Sequence, residues 1–159
     1  MKAVTYKKIL LTHDGSDFAT AALPHVIAEA LAFNAEVAVL QIVKSASQII
    51  PTVTPAGRIA NAGQLAKKIA ADERKLARNN VARLAQQIEA AGVDRISGIV
   101  KKGRAADEII TFVKKNKYDL VVMSTHGRSG IVRVLLGSVA DEVLRYVSCP
   151  VLLIHPGQV

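Results

Sequence analysis

Tryptophan is absent from this 159-residue chain, cysteine occurs once, and phenylalanine and tyrosine occur three times each. The lone Cys149 excludes an internal disulfide framework, and no Cys/His cluster has the spacing of a zinc site, so a reducing compartment suits the chain. So few rings leave no stacking platform for single-stranded nucleic acid, and nothing to stack against an isoalloxazine. Long apolar runs are missing too: none approaches the roughly 20 residues of a membrane span. Behind Lys2, Lys7 and Lys8, the apolar run at 9–11 is too short for the core of a signal peptide and gives way to His13 and Asp14. The expectation is a soluble, unexported, cytoplasmic protein with no membrane partner.

Half of the residues are apolar, enough at this length for one domain with a substantial core, and residues 1–159 read as a single unit. The net charge is +8, a surplus that attracts phosphate polyanions in general. The cations are spread over Lys67, Lys68, Arg74, Lys75, Arg78 and Arg83, then 101–104 and 114–117, with acids between them. A solvated face is expected from this spread rather than a specific nucleic-acid site.

Residues 8–13 (KILLTH) form a mostly apolar, branched run that stops at Asp14-Gly15-Ser16, which predicts a buried strand ending in a turn. Ser16 can cap a helix over 17–33, where Ala21, Ala22, Val26, Ala30 and Leu31 fall near helical spacing and Asn34 can stop it. EVAVLQIV (36–43) is a second strand. Residues 44–62 carry Ser, Pro, Thr and Gly without periodicity and predict an irregular excursion. An amphipathic helix follows over 64–91, with Leu65, Ile69, Leu76, Val81, Leu84 and Ile88 on one side and Gly92 closing it. RISGIVK (95–101) is a third strand, Gly103 a turn and 105–116 a shorter helix. YDLVVMSTH (118–126) is a fourth strand, 138–146 a helix and PVLLI (150–154) a fifth strand. Strands alternating with helices imply right-handed crossovers and a doubly wound α/β domain whose parallel sheet is covered on both faces. Ligands in such sheets bind beyond the carboxyl ends of the strands, where strand order switches direction. That rule singles out the loops after strands one, two and four.

Two of those loops carry candidate chemistry. Asp14 can accept hydrogen bonds from an amine or a ribose hydroxyl, or can simply bond its own turn, as Asp-Gly often does. After strand four, Ser124-Thr125-His126-Gly127-Arg128-Ser129-Gly130 leads to Gly137-Ser138 at a helix start. Glycines let backbone amides approach phosphate oxygens, a helix N-terminus favours an anion, and Arg128 adds a charge-assisted contact. The alternative is that the glycines only make tight turns. Neither a Walker A loop nor a Rossmann G-x-G-x-x-G is present. His13 and His126 stand at strand ends that can converge, as candidate bases or as polar loop and ligand-contact residues. Ser129 beside His126 and Asp14 invites a triad, but the elbow G-x-S-x-G is missing. Cys149, before Pro150, suits a small buried thiol.

With Asp14-Gly15-Ser16, then Met123 to Gly130 reading MSTHGRSG, then Leu135-Leu136-Gly137-Ser138-Val139 and the final CPVLLI, the chain resembles universal stress proteins over its whole length. The nucleotide-binding branch of that family carries G-x2-G-x9-G-[ST], matched here by Gly127, Gly137 and Ser138. Ser124 stands where the motif's first glycine belongs; serine is small, but a position that needs positive φ disfavours it. The resemblance implies strand order 3-2-1-4-5, as in the adenine-nucleotide α-hydrolases, and a site for ATP, ADP or AMP. Asp14, with Thr12 beside it, and Ile42 would line the adenine and ribose, and Met123 and Ser124 the sugar and phosphates. Gly127, Arg128, Ser129, Gly137, Ser138 and Val139 would hold the polyphosphate, with Gly130 completing the turn and Mg²⁺ bridging phosphate oxygens. The resemblance also implies a homodimer through the last strand, whose apolar edge would otherwise stand exposed. The activity implied is a nucleotide-binding stress-response module with slow or no hydrolysis and no catalytic residue. An ATPase using the same pocket, and a dimeric interaction protein that binds no nucleotide, stay open.

Overall fold

A computed structural model of the chain describes residues 3–49, 62–125 and 136–155. The branched apolar runs form strands in which consecutive residues are covered from both sides. β1 (Lys8–Thr12), β2 (Glu36–Val43) and β4 (Leu120–Ser124) are buried almost throughout, while β3 (Ile96–Lys102) and β5 (Val151–Ile154) form the edges and are more open. Every pair is parallel and the order is β3-β2-β1-β4-β5, the topology expected. β1 is central, with Leu11 registered between Val39 and Val122.

From β1 the chain moves to β2 and β3 in one direction, through α2 (Leu23–Phe33) and α4 (Ala62–Ala90). It then returns past β1 to β4 through α5 (Ala105–Asn116) and continues to β5 through α6 (Ser138–Tyr146). Right-handed crossovers running in opposite directions put their helices on opposite faces. Accordingly Ile9, Leu11 and Val39 pack with Val26, Val81 and Leu84, whereas Leu10, Leu40 and Val121 pack with Ile109, Val113 and Val143. Alternate residues of β1 thus serve two separate cores.

The helix expected over 17–33 is broken into α1 (Asp17–Thr20) and α2, with Pro24 in the first turn of α2. Inside one continuous helix the Pro24 ring would crowd the Thr20 carbonyl and leave it without a donor; in a first turn neither cost arises. Ser16 does cap α1, accepting from the Ala19 N–H at 3.2 Å, and Asn34 ends α2 at φ 50°. Within the excursion at 44–62, a short helix α3 (Ala46–Ile49) packs against α4, which already begins at Ala62; residues 50–61 lie outside the described residues.

The buried line of α4 is Ala66, Ala77, Val81, Leu84 and Ile88. Leu65, Ile69 and Leu76, expected beside Val81, are exposed instead, Leu76 at 69%. At 3.6 residues per turn these three lie roughly a quarter-turn round the helix from the buried line. The fourth strand is also shorter than 118–126. Lys117 turns the chain at φ 55°, and the Asp119 carboxylate accepts the Lys7 and Lys8 N–H groups at 2.9 and 3.0 Å. The fifth strand starts at Val151, after Pro150, which has no N–H to offer a ladder.

α4 approaches the sheet closely at β3, where a Cβ added to Gly98 would overlap Val81 Cγ1. Valine is nearly locked at χ1 in a helix, so that methyl cannot turn away. Gly98→Ala is expected to lower the unfolding free energy by about 1–3 kcal/mol, read from urea denaturation. Val81→Ala should cost less in that background than in the wild type. Additive losses would show that Val81 does not limit position 98.

Candidate functional site

A cavity of about 470 Å³ opens at the carboxyl ends of the strands, across the point where strand order reverses. The end of β1 contributes Thr12, His13 and Asp14, and β2 contributes Leu40, Ile42 and Val43. β4 contributes Met123 and Ser124, and the start of α6 contributes Gly137, Ser138 and Val139. Residues from four separate stretches, singled out as Thr12, Asp14, Ile42, Met123, Ser124, Gly137, Ser138 and Val139, therefore line one space. Gly127, Arg128, Ser129 and Gly130 lie outside the described residues, as does His126.

Asp14 makes the turn considered from the sequence and does so at the edge of the cavity. Its Oδ1 accepts from the Ser16 N–H at 3.0 Å and the Ser16 hydroxyl at 2.6 Å, closing the turn, while the residue lines the cavity. Gly15 permits the turn by adopting φ 89°, a conformation that side chains rarely tolerate. His13 follows β1 directly and is buried, at 5% exposed, and its N–H bonds the Leu40 carbonyl of β2 at 3.0 Å. Burial holds its pKa below the ordinary histidine value, Asp14 and Asp17 pull the other way, and Arg83 adds to the lowering.

The opposite wall is built around α6. Gly137 donates its N–H to the Thr125 carbonyl at 2.8 Å and, as the N-cap residue, has no side chain with which to cap the helix. The first amides of α6, which lack intrahelical partners, belong to Ser138 and Val139, both in the cavity wall, at the helix end where the dipole favours negative charge. Ser124 is the last residue of β4, paired with Ile154. Among the described non-glycine residues positive φ is confined to Asn34 and Lys117, so serine at position 124 carries no left-handed strain.

The wall also includes Lys44, Gln48, Gly103, Arg104 and Ala105, from the segments after β2 and β3. The loop after strand three was left out by the switch-point rule, yet the cavity spreads over the end of β2 far enough to reach it. Gly103 directly after a strand was the available signal. Arg104 donates to both Glu142 carboxylate oxygens, at 2.6 and 2.5 Å, and to Asp107 at 2.8 Å, linking α5 to α6 at the rim. Cys149 lies elsewhere, half-buried against the α5–α6 core, and burial pushes its thiol pKa up, which suits an unreactive group.

A family model described as the universal stress protein family matches residues 5–155. Universal stress protein MJ0531 of Methanocaldococcus jannaschii is 37% identical over 150 residues, covering 94% of this chain and 82% of that protein. The solved structure of universal stress protein UspA from Lactobacillus plantarum is similar at a TM-score of 0.82 and 22% identity, over 96% of this chain and 99% of that one. A universal stress protein family protein from Arabidopsis thaliana, solved with AMP bound, is similar at a TM-score of 0.66 and 15% identity, over 95% of this chain and 92% of its own. At such identities the two structures speak to the fold alone.

A Cβ added to Gly137 would stand 2.9 Å from the Thr125 carbonyl oxygen. Because that neighbour is backbone, it cannot rotate aside. Gly137→Ala is expected to cost about 1–3 kcal/mol of stability by pushing the start of α6 off the end of β4, measured by denaturant midpoint. An unchanged midpoint would mean that this contact does not hold the helix.

Proposed function

The chain belongs to the universal stress protein family, and on that premise we propose that it binds an adenine nucleotide in the strand-end cavity and acts as a stress-response sensor or regulator. The observation that carries the reading is the pairing of the start of α6, where the N-cap is a glycine, with the Asp14 turn across one cavity. The volume lies within the range of about 300–1,000 Å³ usual for small-molecule sites. Ile42 and Met123 offer apolar surface for a base, Asp14 with Thr12 offers acceptors for ribose or amine, and the amides of Ser138 and Val139 suit phosphate oxygens, the Gly137 amide being spent on the Thr125 carbonyl. Gly127, Arg128, Ser129 and Gly130 belong to the proposed phosphate loop through the sequence motif alone. The ligand class is proposed from family membership, since the Arabidopsis universal stress protein family protein was solved with AMP bound.

ATP is the proposed ligand, with ADP or AMP as its products or substitutes, and Mg²⁺ riding on the phosphate oxygens. Among the described residues no group of three or more His, Cys, Asp or Glu side chains is placed to hold a metal ion directly. Slow or absent hydrolysis fits His13, whose lone-pair nitrogen is already occupied by the Gly15 N–H and so is not free to take a proton from water. No helix among the described residues is long and apolar enough to cross a membrane, and the proposed setting is the cytoplasm.

Titration calorimetry with Mg-ATP, together with native mass spectrometry of the purified protein, tests the reading. Binding is expected, and Asp14→Ala should weaken it about 10- to 100-fold, the worth of a hydrogen bond to a charged group. No heat and no thermal shift at millimolar Mg-ATP would overturn it.

The proposed homodimer uses β5. The carbonyls of Pro150 and Ile154 bond β4, accepting from Val121 at 3.0 Å and Thr125 at 2.9 Å. The backbone groups of the intervening Val151 and Leu153 accordingly face the open edge, where a second copy can pair. Leu153→Pro removes one outward donor at an edge that tolerates proline. It should turn a dimer into a folded monomer in analytical ultracentrifugation; a monomeric wild type would remove the dimer from the proposal.

A further inference from the structure

Buried His13 and Gln41 join half-buried Asn80 and Thr20 in one chain of hydrogen bonds that runs from the Asp14 turn to α4. His13 Nδ1 accepts from the Gly15 N–H at 2.9 Å and lies 3.2 Å from Asn80 Nδ2, which also donates to Gln41 Oε1 at 2.8 Å. Arg83 Nη2 donates to Asn80 Oδ1 at 3.0 Å and so sets which way that amide faces. A backbone N–H and an amide NH₂ can only donate; Nδ1 must meet both with its lone pair, and the proton of the neutral ring is on Nε2. Nε2 lies 3.3 Å from Thr20 Oγ1, whose hydroxyl points back to the Ser16 carbonyl at 3.5 Å. Each hydrogen in the chain has one self-consistent assignment.

We propose that His13 is the positioning residue of the Asp14 turn: as a neutral, Nε2-protonated ring it holds the Gly15 N–H and, through Asn80, ties the turn to α4. This rests on the nucleotide reading only for its effect on affinity; the clamp itself needs no ligand. A second proton, placed on Nδ1, would aim an N–H at two other donors and release both. The charged groups facing the ring are Asp14 and Asp17 from the β1–α1 side and Arg83 from α4, while Gln41 of β2, Thr20 of α1 and Asn80 of α4 are neutral. Burial outweighs the two carboxylates and keeps the folded-state pKa below the ordinary 6.5. The unfolded chain therefore takes up a proton first as pH falls, so the stability from the neutral ring is whole above 6.5 and is lost as pH drops through the folded-state value. The turn loosens as the ring protonates within the folded chain, at and below the folded-state value.

Nitrogen-detected NMR of the full chain without nucleotide reads the His13 tautomer, and amide exchange reads Gly15, from about pH 8 down through the acid pH at which the His13 ring signals show it to protonate. The proposal expects an unprotonated Nδ1 and a protected Gly15 amide at neutral pH, with protection lost on acidification. His13→Asn supplies an acceptor near the Nδ1 position but does not titrate, so its Gly15 protection should be independent of pH. His13→Phe, and independently Asn80→Leu should the first not fold, should lose protection at every pH. The Mg-ATP dissociation constant of the wild type divided by that of His13→Asn cancels the nucleotide's own titration. That ratio should rise, by up to about tenfold per pH unit below the folded-state pKa. A proton found on Nδ1 at neutral pH, a Gly15 amide indifferent to His13→Phe and Asn80→Leu, or a ratio flat with pH overturns the positioning role and leaves the nucleotide reading intact. The expected tautomer and exchange pattern in a protein that binds no Mg-ATP would support the clamp and sink the nucleotide reading.

Discussion

β1 is hydrogen-bonded along both edges, to β2 on one side and β4 on the other, and the rest of the molecule is arranged around that central seat. Parallel neighbours cannot be joined by tight turns, so every connection must climb over a face of the sheet. Because crossovers share one hand, those that move toward β3 lie on one face and those that move toward β5 lie on the other. Ile9 and Leu11 face one layer and Leu10 faces the other, all wholly buried. Where the two directions part, no crossover covers the strand ends, and the cavity is what remains open. Its position follows from topology before any side chain is chosen.

The two walls of that cavity are held by different layers. On the β4 side, the Gly137–Thr125 backbone contact fastens the start of α6, and Arg104 bridges α5 to Glu142 at the rim. That ion pair is largely exposed and contributes little to stability on its own, whereas the backbone contact leaves no room for a side chain. On the β1 side, His13 and Asn80 connect the Asp14 turn to α4. Polar groups buried as deeply as His13 and Gln41 cost stability unless each is satisfied. Here Gln41, His13, Asn80 and Thr20 satisfy one another, and the arrangement couples the turn to the one helix whose N-terminal half presents Leu65 and Leu76 to solvent.

Local chemistry was readable residue by residue. Ser16 caps, Asn34 stops a helix, and the apolar runs of β1, β2 and β4 lie in the interior, because each depends on neighbours within a turn or a strand. Readings failed where one local rule met another or met distance. Pro24 broke a helix that apolar spacing predicted to be continuous. On α4 the leucines outweighed the alanines in any sequence pattern, but Ala66 and Ala77 face the protein and Leu65 and Leu76 do not. The loop after β3 entered the cavity wall although the switch-point rule passed over it.

The sequence by itself determined the alternation of elements, hence a parallel sheet with helices on two faces, and it marked the stretches around Asp14, Ser124 and Gly137 as the ones to converge. Periodicity, caps and motif spacing are short-range properties, and they survive without coordinates. Tertiary structure alone decided that Ser124 sits in extended strand rather than in a conformation reserved for glycine, and that Gly137 is required by the Thr125 carbonyl. It alone decided that His13 is buried against Asn80, 67 residues further along the chain. Those outcomes depend on which atoms meet after the chain has crossed the sheet, and sequence separation carries no record of that distance.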